Sequence, residues 1–243
     1  MSLDTTSLER LVPDELATGD ATGDESLRLH LERYRFAARH ARHGRLLDLA
    51  CGAGYGTRLL ADEATGISEA VGADISPEAI SYARQRYGRP GVAYCVADGA
   101  GFLDAEGFDT VVSLETIEHV PAPESLAERL VGLVRPGGVL VASVPTTPSV
   151  DVNPHHQSDF TERSFRRMFE RHGFHECAIL RQEQRFNPLR MLRRQEQRVA
   201  DLRPGLMGWY SHNPASLMRR LVATLRHGFA NRYVTIAWQA ARR

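Results

Sequence analysis

Lysine is absent from the chain: all 30 basic side chains are Arg. Chemistry that depends on a primary amine is therefore excluded, including Schiff bases, pyridoxal phosphate attachment, the Walker A phosphate contact and the kinase ATP contact. Cysteine is sparse. Cys51, Cys95 and Cys177 lie far apart within apolar stretches, so neither a disulfide framework nor a paired-Cys metal site is expected. This usage fits a reducing cytoplasm. No run of 18 apolar residues occurs, and Met1 to Asp20 is polar and acidic without an apolar segment, so neither a membrane span nor a signal peptide is expected. Internal repeats and low-complexity tracts are also missing.

What is present suits a globular protein. The 243 residues are 42% hydrophobic and 25% charged, enough to build the core of one large α/β domain. Net charge is zero but uneven. Arg181 to Arg243 carries 13 Arg against three acids, and Met1 to Leu180 carries 17 Arg against 27 acids. The basic quarter lacks an aromatic RNA-binding motif or a DNA-reading helix, so nucleic acid is not an expected partner.

Short apolar runs alternate with helical patterns, which predicts a parallel sheet with crossover helices. Strands are expected at Arg45 to Ala50, Ala70 to Asp74, Val92 to Ala97, Phe108 to Leu114 and Val139 to Val144. Leu27 to His43 has helical spacing and ends at Gly44. Further helices are expected from Gly56, from Pro77, near Phe102 and over Glu124 to Val134, the last closed by Arg135-Pro136-Gly137-Gly138. A helix over Thr161 to His172 then precedes a strand near His175 to Gln182, which pairs as a hairpin with Tyr233 to Trp238. Between them, Arg185 to Ala230 is an excursion in which Asn213-Pro214 opens a helix striped by Leu217, Met218, Leu221, Val222 and Leu225. The predicted fold is a doubly wound, Rossmann-like, seven-stranded and mostly parallel α/β sheet with helices on both faces and a helical cap inserted between the last two strands. Its predicted divisions are an arm at 1–23, a cofactor-binding core at 24–184, the cap at 185–230 and a last strand and tail at 231–243.

Three strand ends carry nucleoside-binding chemistry. After the first, Asp48-Leu49-Ala50-Cys51-Gly52-Ala53-Gly54-Tyr55-Gly56 is a glycine turn through which backbone can approach a ligand. Its Gly-x-Gly-x-Gly spacing differs from the pyrophosphate fingerprint of nicotinamide enzymes. Asp74, ending the second, can accept ribose hydroxyls. Asp98, ending the third, precedes Gly99, Ala100, Phe102 and Leu103, a slot for adenine.

With these landmarks the chain resembles the class I S-adenosylmethionine-dependent methyltransferases over about Leu27 to His175. Val111 to Val120 and Leu133 to Gly138 look like later motifs of that family. The subgroup resembles ubiquinone-type O-methyltransferases and bacterial enzymes of glycan and secondary-metabolite pathways. There Arg33-Tyr34 precedes the glycine turn, and an Asn-Pro-x-His segment, here Asn153 to His156 followed by Asp159-Phe160-Thr161, comes after the fifth strand. The resemblance implies S-adenosylmethionine as cofactor, bound by Arg33, Tyr34, Asp48, Ala50, Gly52, Gly54, Tyr55, Asp74, Ile75, Asp98, Gly99 and Glu115. A small molecule is the implied acceptor, in a protein that can also pair as a homodimer.

A sulfonium-bound methyl is already electrophilic, so the enzyme needs chiefly to align the reactants, and only a hydroxyl acceptor needs a base. His119, beside Glu115 and Glu118, and His156 are the candidate bases. His155, His156, Trp209 and Tyr210 are candidates for acceptor binding, although His156 could instead hold its loop with His155 exposed. Arg185, Arg190, Arg193, Arg194 and Arg198 could meet an acidic acceptor. Glu115, Glu118 and His119 also have the donors of a divalent metal site, as in the ubiquinone-type enzymes. Methylation of oxygen is the expected activity. The alternatives are N-methylation, nicotinamide-dependent oxidoreduction and non-catalytic nucleoside binding.

Overall fold

The structure is a computed structural model that describes residues 13, 21–185 and 203–241. The first helix, α1 (Ala21–His40), is followed by β1 (Gly44–Leu49), α2 (Tyr55–Glu63), β2 (Ile67–Asp74), α3 (Pro77–Tyr87), β3 (Val92–Val96) and β4 (Phe108–Leu114). A single 3-10 turn, Ile117–His119, leads to α4 (Pro123–Leu133), β5 (Val134–Pro145), α5 (Glu162–Glu170) and β6 (Phe174–Arg185). After the undescribed residues 186–202 come α6 (Leu206–His212), α7 (Pro214–His227) and β7 (Ala230–Ala240).

The seven strands lie in the order β3-β2-β1-β4-β5-β7-β6. All neighbours are parallel except β7, which runs antiparallel to both β5 and β6. The strand runs are apolar on both faces because both faces are covered. Leu46, Val112 and Val141 pack with Tyr34, Leu60 and Ile80 on one side. Their immediate neighbours Leu47, Val111 and Leu140 pack with Leu130, Phe165 and Trp238 on the other. The period-two alternation thus divides two cores between the two helix layers.

Local signals explain several boundaries. Ser76 caps α3 by accepting from the Ala79 N–H at 3.2 Å, with Pro77 in the first turn. Thr161 and Ser164 exchange bonds in a capping box at α5, whose Phe165 and Phe169 rings meet Trp238 with centroids 5.2 and 4.5 Å away.

Some expected elements are corrected. No helix forms near Phe102: Asp98 Oδ1 accepts from the Ala100 N–H at 3.1 Å, and a turn replaces it. Arg135 to Gly138 do not lie beyond the sheet as a helix stop but belong to β5, whose carboxyl-terminal part pairs with β4 and β7. Gly44 opens β1, four residues after α1 ends, because a side chain there would collide with Asp109. Asn213 precedes α7 without a side-chain cap bond; its Nδ2 donates to Trp209 O at 2.9 Å. Among the described residues no helix is long and apolar enough to cross a membrane.

Candidate active site

The chain leaves β1 for β2 and β3 on one side and later returns to place β4 and β5 on the other. A crevice therefore opens between the carboxyl ends of β1 and β4, where open α/β sheets bind ligands. Ala50, just beyond β1, and Glu115, just beyond β4, are the only non-glycine residues with positive φ among the described residues, at 64° and 50°. Such backbone costs about 1 to 3 kcal/mol per residue and persists where surroundings over-determine it. Strain is concentrated on the two lips of one crevice.

The β1 lip is built around Asp48, which is 1% exposed. Its Oδ2 accepts from Thr57 Oγ1 at 2.7 Å and from the Tyr34 hydroxyl at 3.3 Å. Burial pushes its pKa up to about 7 against those two bonds. The glycines above it have different tasks. A Cβ on Gly52 would meet nothing within 4 Å, so its φ of 54° and the open space beside it leave room for a ligand. Gly54 instead makes way for protein, since a Cβ there would stand 2.5 Å from Ala83 and 2.8 Å from Tyr94. The missing Cβ at Gly54 thus makes room for neighbouring side chains. The Tyr55 hydroxyl is bonded to His30 Nδ1.

Asp74 braces the turn, with Oδ2 accepting from the Gly52 N–H at 2.8 Å and Oδ1 from the Ser76 N–H at 2.9 Å. Each oxygen keeps a second lone pair for an incoming hydroxyl. Ile75 is 69% exposed and Leu103 75%, apolar side chains left bare next to the strand-end carboxylates Asp74 and Asp98. Phe102, by contrast, turns into the core beside Phe108. Gly99 lies over Leu49 and Leu126. Open backbone at Gly52, a carboxylate with spare acceptors and bare aliphatic side chains fit the parts of a nucleoside.

The β4 lip joins Glu115 to Ser143 of β5, whose Oγ donates to Glu115 Oε1 at 2.7 Å and accepts from the Glu115 N–H at 3.0 Å. Arg33, 4% exposed, approaches the same Oε1 at 3.8 Å, donates to Gln182 Oε1 at 2.8 Å and lies over the Tyr233 ring.

Past Glu115, the 3-10 turn is tied to the loop after β5. The Glu118 carbonyl accepts from the N–H groups of Gln157 and Ser158 at 2.8 and 3.2 Å, and Gln157 Nε2 donates to the His119 carbonyl at 2.9 Å. These bonds bring the His119 and His156 rings edge to face, with centroids 4.5 Å apart. His156 Nδ1 is 2.7 Å from Ser149 Oγ, and Asp159 holds that loop by accepting from the Ser149 and Val150 N–H groups. His155 is exposed, its N–H bonded to Asn153 Oδ1.

Glu118 is fully buried, its two oxygens without a hydrogen-bond partner and Oε1 3.9 Å from His119 Nε2. Burial, reinforced by the charge of Glu115, pushes its pKa up to about 8. The donor atoms of Glu118, His119 and His156 lie within 4.8 Å of one another. The triplet read from the sequence, Glu115 with Glu118 and His119, is not the one assembled, because Glu115 is turned toward Ser143 and Arg33.

The remaining expectations separate. Tyr210 does not hold its hydroxyl open for an acceptor: it donates to Asp151 Oδ2 at 2.6 Å, with Trp209 edge to face against its ring and Arg203 over the indole. Arg185 bonds Glu183, while Arg190, Arg193, Arg194 and Arg198 lie outside the described residues. Several site residues carried no motif. Ser143 could have been noticed as a hydroxyl inside the apolar run of β5, where a buried polar group needs a partner. Ser149, Gln182, Tyr233 and the Asp151–Arg220 pair gave no local signal.

Residues 47–142 match the methyltransferase domain family. Over that stretch, which runs from β1 to β5, the chain is similar to methyltransferase domains. A trans-aconitate 2-methyltransferase of Methylobacterium radiotolerans is 34% identical over 99 residues, 41% of this chain and 37% of that protein. A ubiquinone biosynthesis O-methyltransferase of Thiobacillus denitrificans is also 34% identical over 99 residues, 39% of this chain and 41% of that protein. This chain thus spans about two fifths of the length of either relative. A solved N-methyltransferase of Bradyrhizobium japonicum in complex with S-adenosyl-L-homocysteine superposes with a TM-score of 0.61 at 17% identity, covering 98% of this chain and 99% of that one.

Proposed function

We propose that this chain is an S-adenosylmethionine-dependent methyltransferase that acts on a hydroxyl of a small molecule, a sugar unit or a secondary metabolite, and that His119 takes the hydroxyl proton. The observation that carries this reading is the pair of imidazoles, His119 and His156, locked together beside the β1–β4 crevice. A hydroxyl has to shed a proton as it is methylated, and an imidazole is matched to that task near neutral pH, whereas a neutral amine needs little help. A relative named for O-methylation agrees with it.

When bound, the cofactor supplies an electrophilic methyl on a sulfonium. In this reading Asp74 accepts the ribose hydroxyls, Gly52 lets the backbone approach, Asp98 faces the adenine amino group and Ile75 and Leu103 flank the ring. Arg33, Tyr34, Asp48, Ala50, Tyr55, Gly99 and Glu115 shape the lips of the crevice. His156, with Nδ1 fixed by Ser149, positions His119 across the ring contact, and residues 203–230 form the acceptor-side cap.

The test is methyl release over a library of hydroxylated and amine acceptors, repeated on His119→Ala and His156→Ala. His119→Ala should lower turnover on the hydroxyl substrate by about two to four orders of magnitude, with cofactor affinity little changed. Near-normal turnover in His119→Ala with a large loss in His156→Ala would move the base to His156. Normal turnover in both variants, or activity confined to amines, would overturn the assignment.

A further inference from the structure

We propose that α7 and its flanking turns form a docking surface for an anionic lipid bilayer, on which the protein lies without crossing. An ordinary surface helix buries its apolar stripe and exposes its cations. Here the arrangement is inverted. Neither α6 nor α7 has a buried residue. Met218 is 59% exposed, Leu221 47%, Val222 39% and Leu225 87%, with Met207 of α6 at 85% and Phe229, just past α7, at 56%. At 100° per residue, Met218, Leu221, Val222 and Leu225 share one face of the helix.

The side turned toward the protein is rooted by a cation instead. Arg220 Nε and Nη2 meet Asp151 Oδ2 and Oδ1 at 2.8 and 2.5 Å, and the Tyr210 hydroxyl completes the site on the same carboxylate. Asp151 is 2% exposed, so this anchor fixes which face of α7 points outward.

Charge identifies what fits that outward face. Arg226 and Arg219, the latter 3.9 Å from Asp159, lie along one flank of the apolar stripe, and from Leu202 to Arg243 the chain contains seven Arg and no Asp or Glu. An apolar centre with a cationic rim is the pattern of a helix lying in a membrane interface, its side chains among acyl chains and its guanidinium groups among anionic headgroups. A second copy of the chain is a poorer match, since a two-fold contact would set this rim against an identical one. The anchor Asp151 sits on the same loop as Ser149 and His156, so a docked α7 would bring the acceptor side of the crevice to the interface.

Flotation of the full chain with phosphatidylcholine vesicles, with and without phosphatidylglycerol, tests the proposal. The chain should float with the anionic vesicles, stay largely behind with the neutral ones and detach as salt is raised. Leu221→Glu with Leu225→Glu should lower partitioning about tenfold, and Arg219→Gln with Arg226→Gln should lower it several-fold. Melting temperature and cofactor affinity should be unchanged in both, as the substituted side chains are exposed. If the glutamate pair fails to fold, the glutamine pair carries the test alone. Equal binding to both kinds of vesicle, or wild-type partitioning in the variants, would overturn the proposal. So would absence of vesicle binding, whether with a dimer dispersed by the glutamate pair or with capture of an acidic protein instead.

Discussion

The two sides of the β1–β4 crevice are held by different means. On the β1 side, Asp74 is fixed by the N–H groups of Gly52 and Ser76, and Asp48 by Thr57 nine residues away, so the site is made by short chain segments bonding to each other. On the β4 side, the loop carrying His156 is held at one end by Asp159, and Asp151 within it is held by Arg220, 69 residues further on. Carboxylates braced by nearby backbone make the first side rigid, whereas a loop held by contacts remote in sequence can be altered without disturbing it, and under the proposed function these two sides take the cofactor and the acceptor.

Removing Arg220 should break the comparison most sharply. Arg220→Ala would leave Asp151 as a buried charge with only Tyr210 beside it, at a cost of about 3 kcal/mol, in the range for breaking one partner of a buried pair. Limited proteolysis should open the chain within residues 203–230, and acceptor KM should rise while the cofactor Kd stays at the wild-type value. A parallel loss of cofactor affinity would mean that the two sides are not independent.

A smaller effect is expected from Glu118, which lies between the two sides. With its pKa raised to about 8 from an ordinary 4.5, the folded protein holds a proton that the unfolded chain releases, so stability falls as pH rises through that window. Glu118→Gln removes this dependence. Its melting temperature should exceed that of the wild type at pH 8 by several degrees, with the gap closing toward pH 5. An equal gap at both values would show that the carboxyl is not protonated in the fold. The smallest effect expected is none: turnover should survive exhaustive chelation, although Glu118, His119 and His156 could hold an ion. Loss of activity restored by a divalent metal would contradict that.

The same contrast governs what could be read from the chain. The sheet, its reversal of strand order and the strand-end carboxylates were legible because buried parallel strands leave continuous apolar runs, and tight strand-to-helix turns demand Gly and Asp. Gly54 shows the limit: its need for glycine was visible, but whether a ligand or the Tyr94 ring filled the space was not. The positive φ of Glu115 had no signature, because nothing in a Glu announces a left-handed backbone. His119 and His156 were each noticed, but their contact depends on backbone bonds between the 3-10 turn and a loop nearly 40 residues on. The stripe of α7 was legible as apolar, but not which way it faces, because Asp151, which holds Arg220 on the opposite side, is remote in sequence.

The central claim is that the β1 side holds the cofactor and the His pair serves the acceptor. Calorimetric titration of S-adenosylmethionine into wild type, Asp74→Ala and His119→Ala, with turnover measured on the same samples, tests it directly. Asp74→Ala should lose about 2 to 3 kcal/mol of cofactor binding, the worth of a charge-assisted pair of hydrogen bonds. His119→Ala should bind cofactor as the wild type does and fail in turnover. Wild-type affinity in Asp74→Ala, or an equal loss of affinity in His119→Ala, would contradict the division of the crevice.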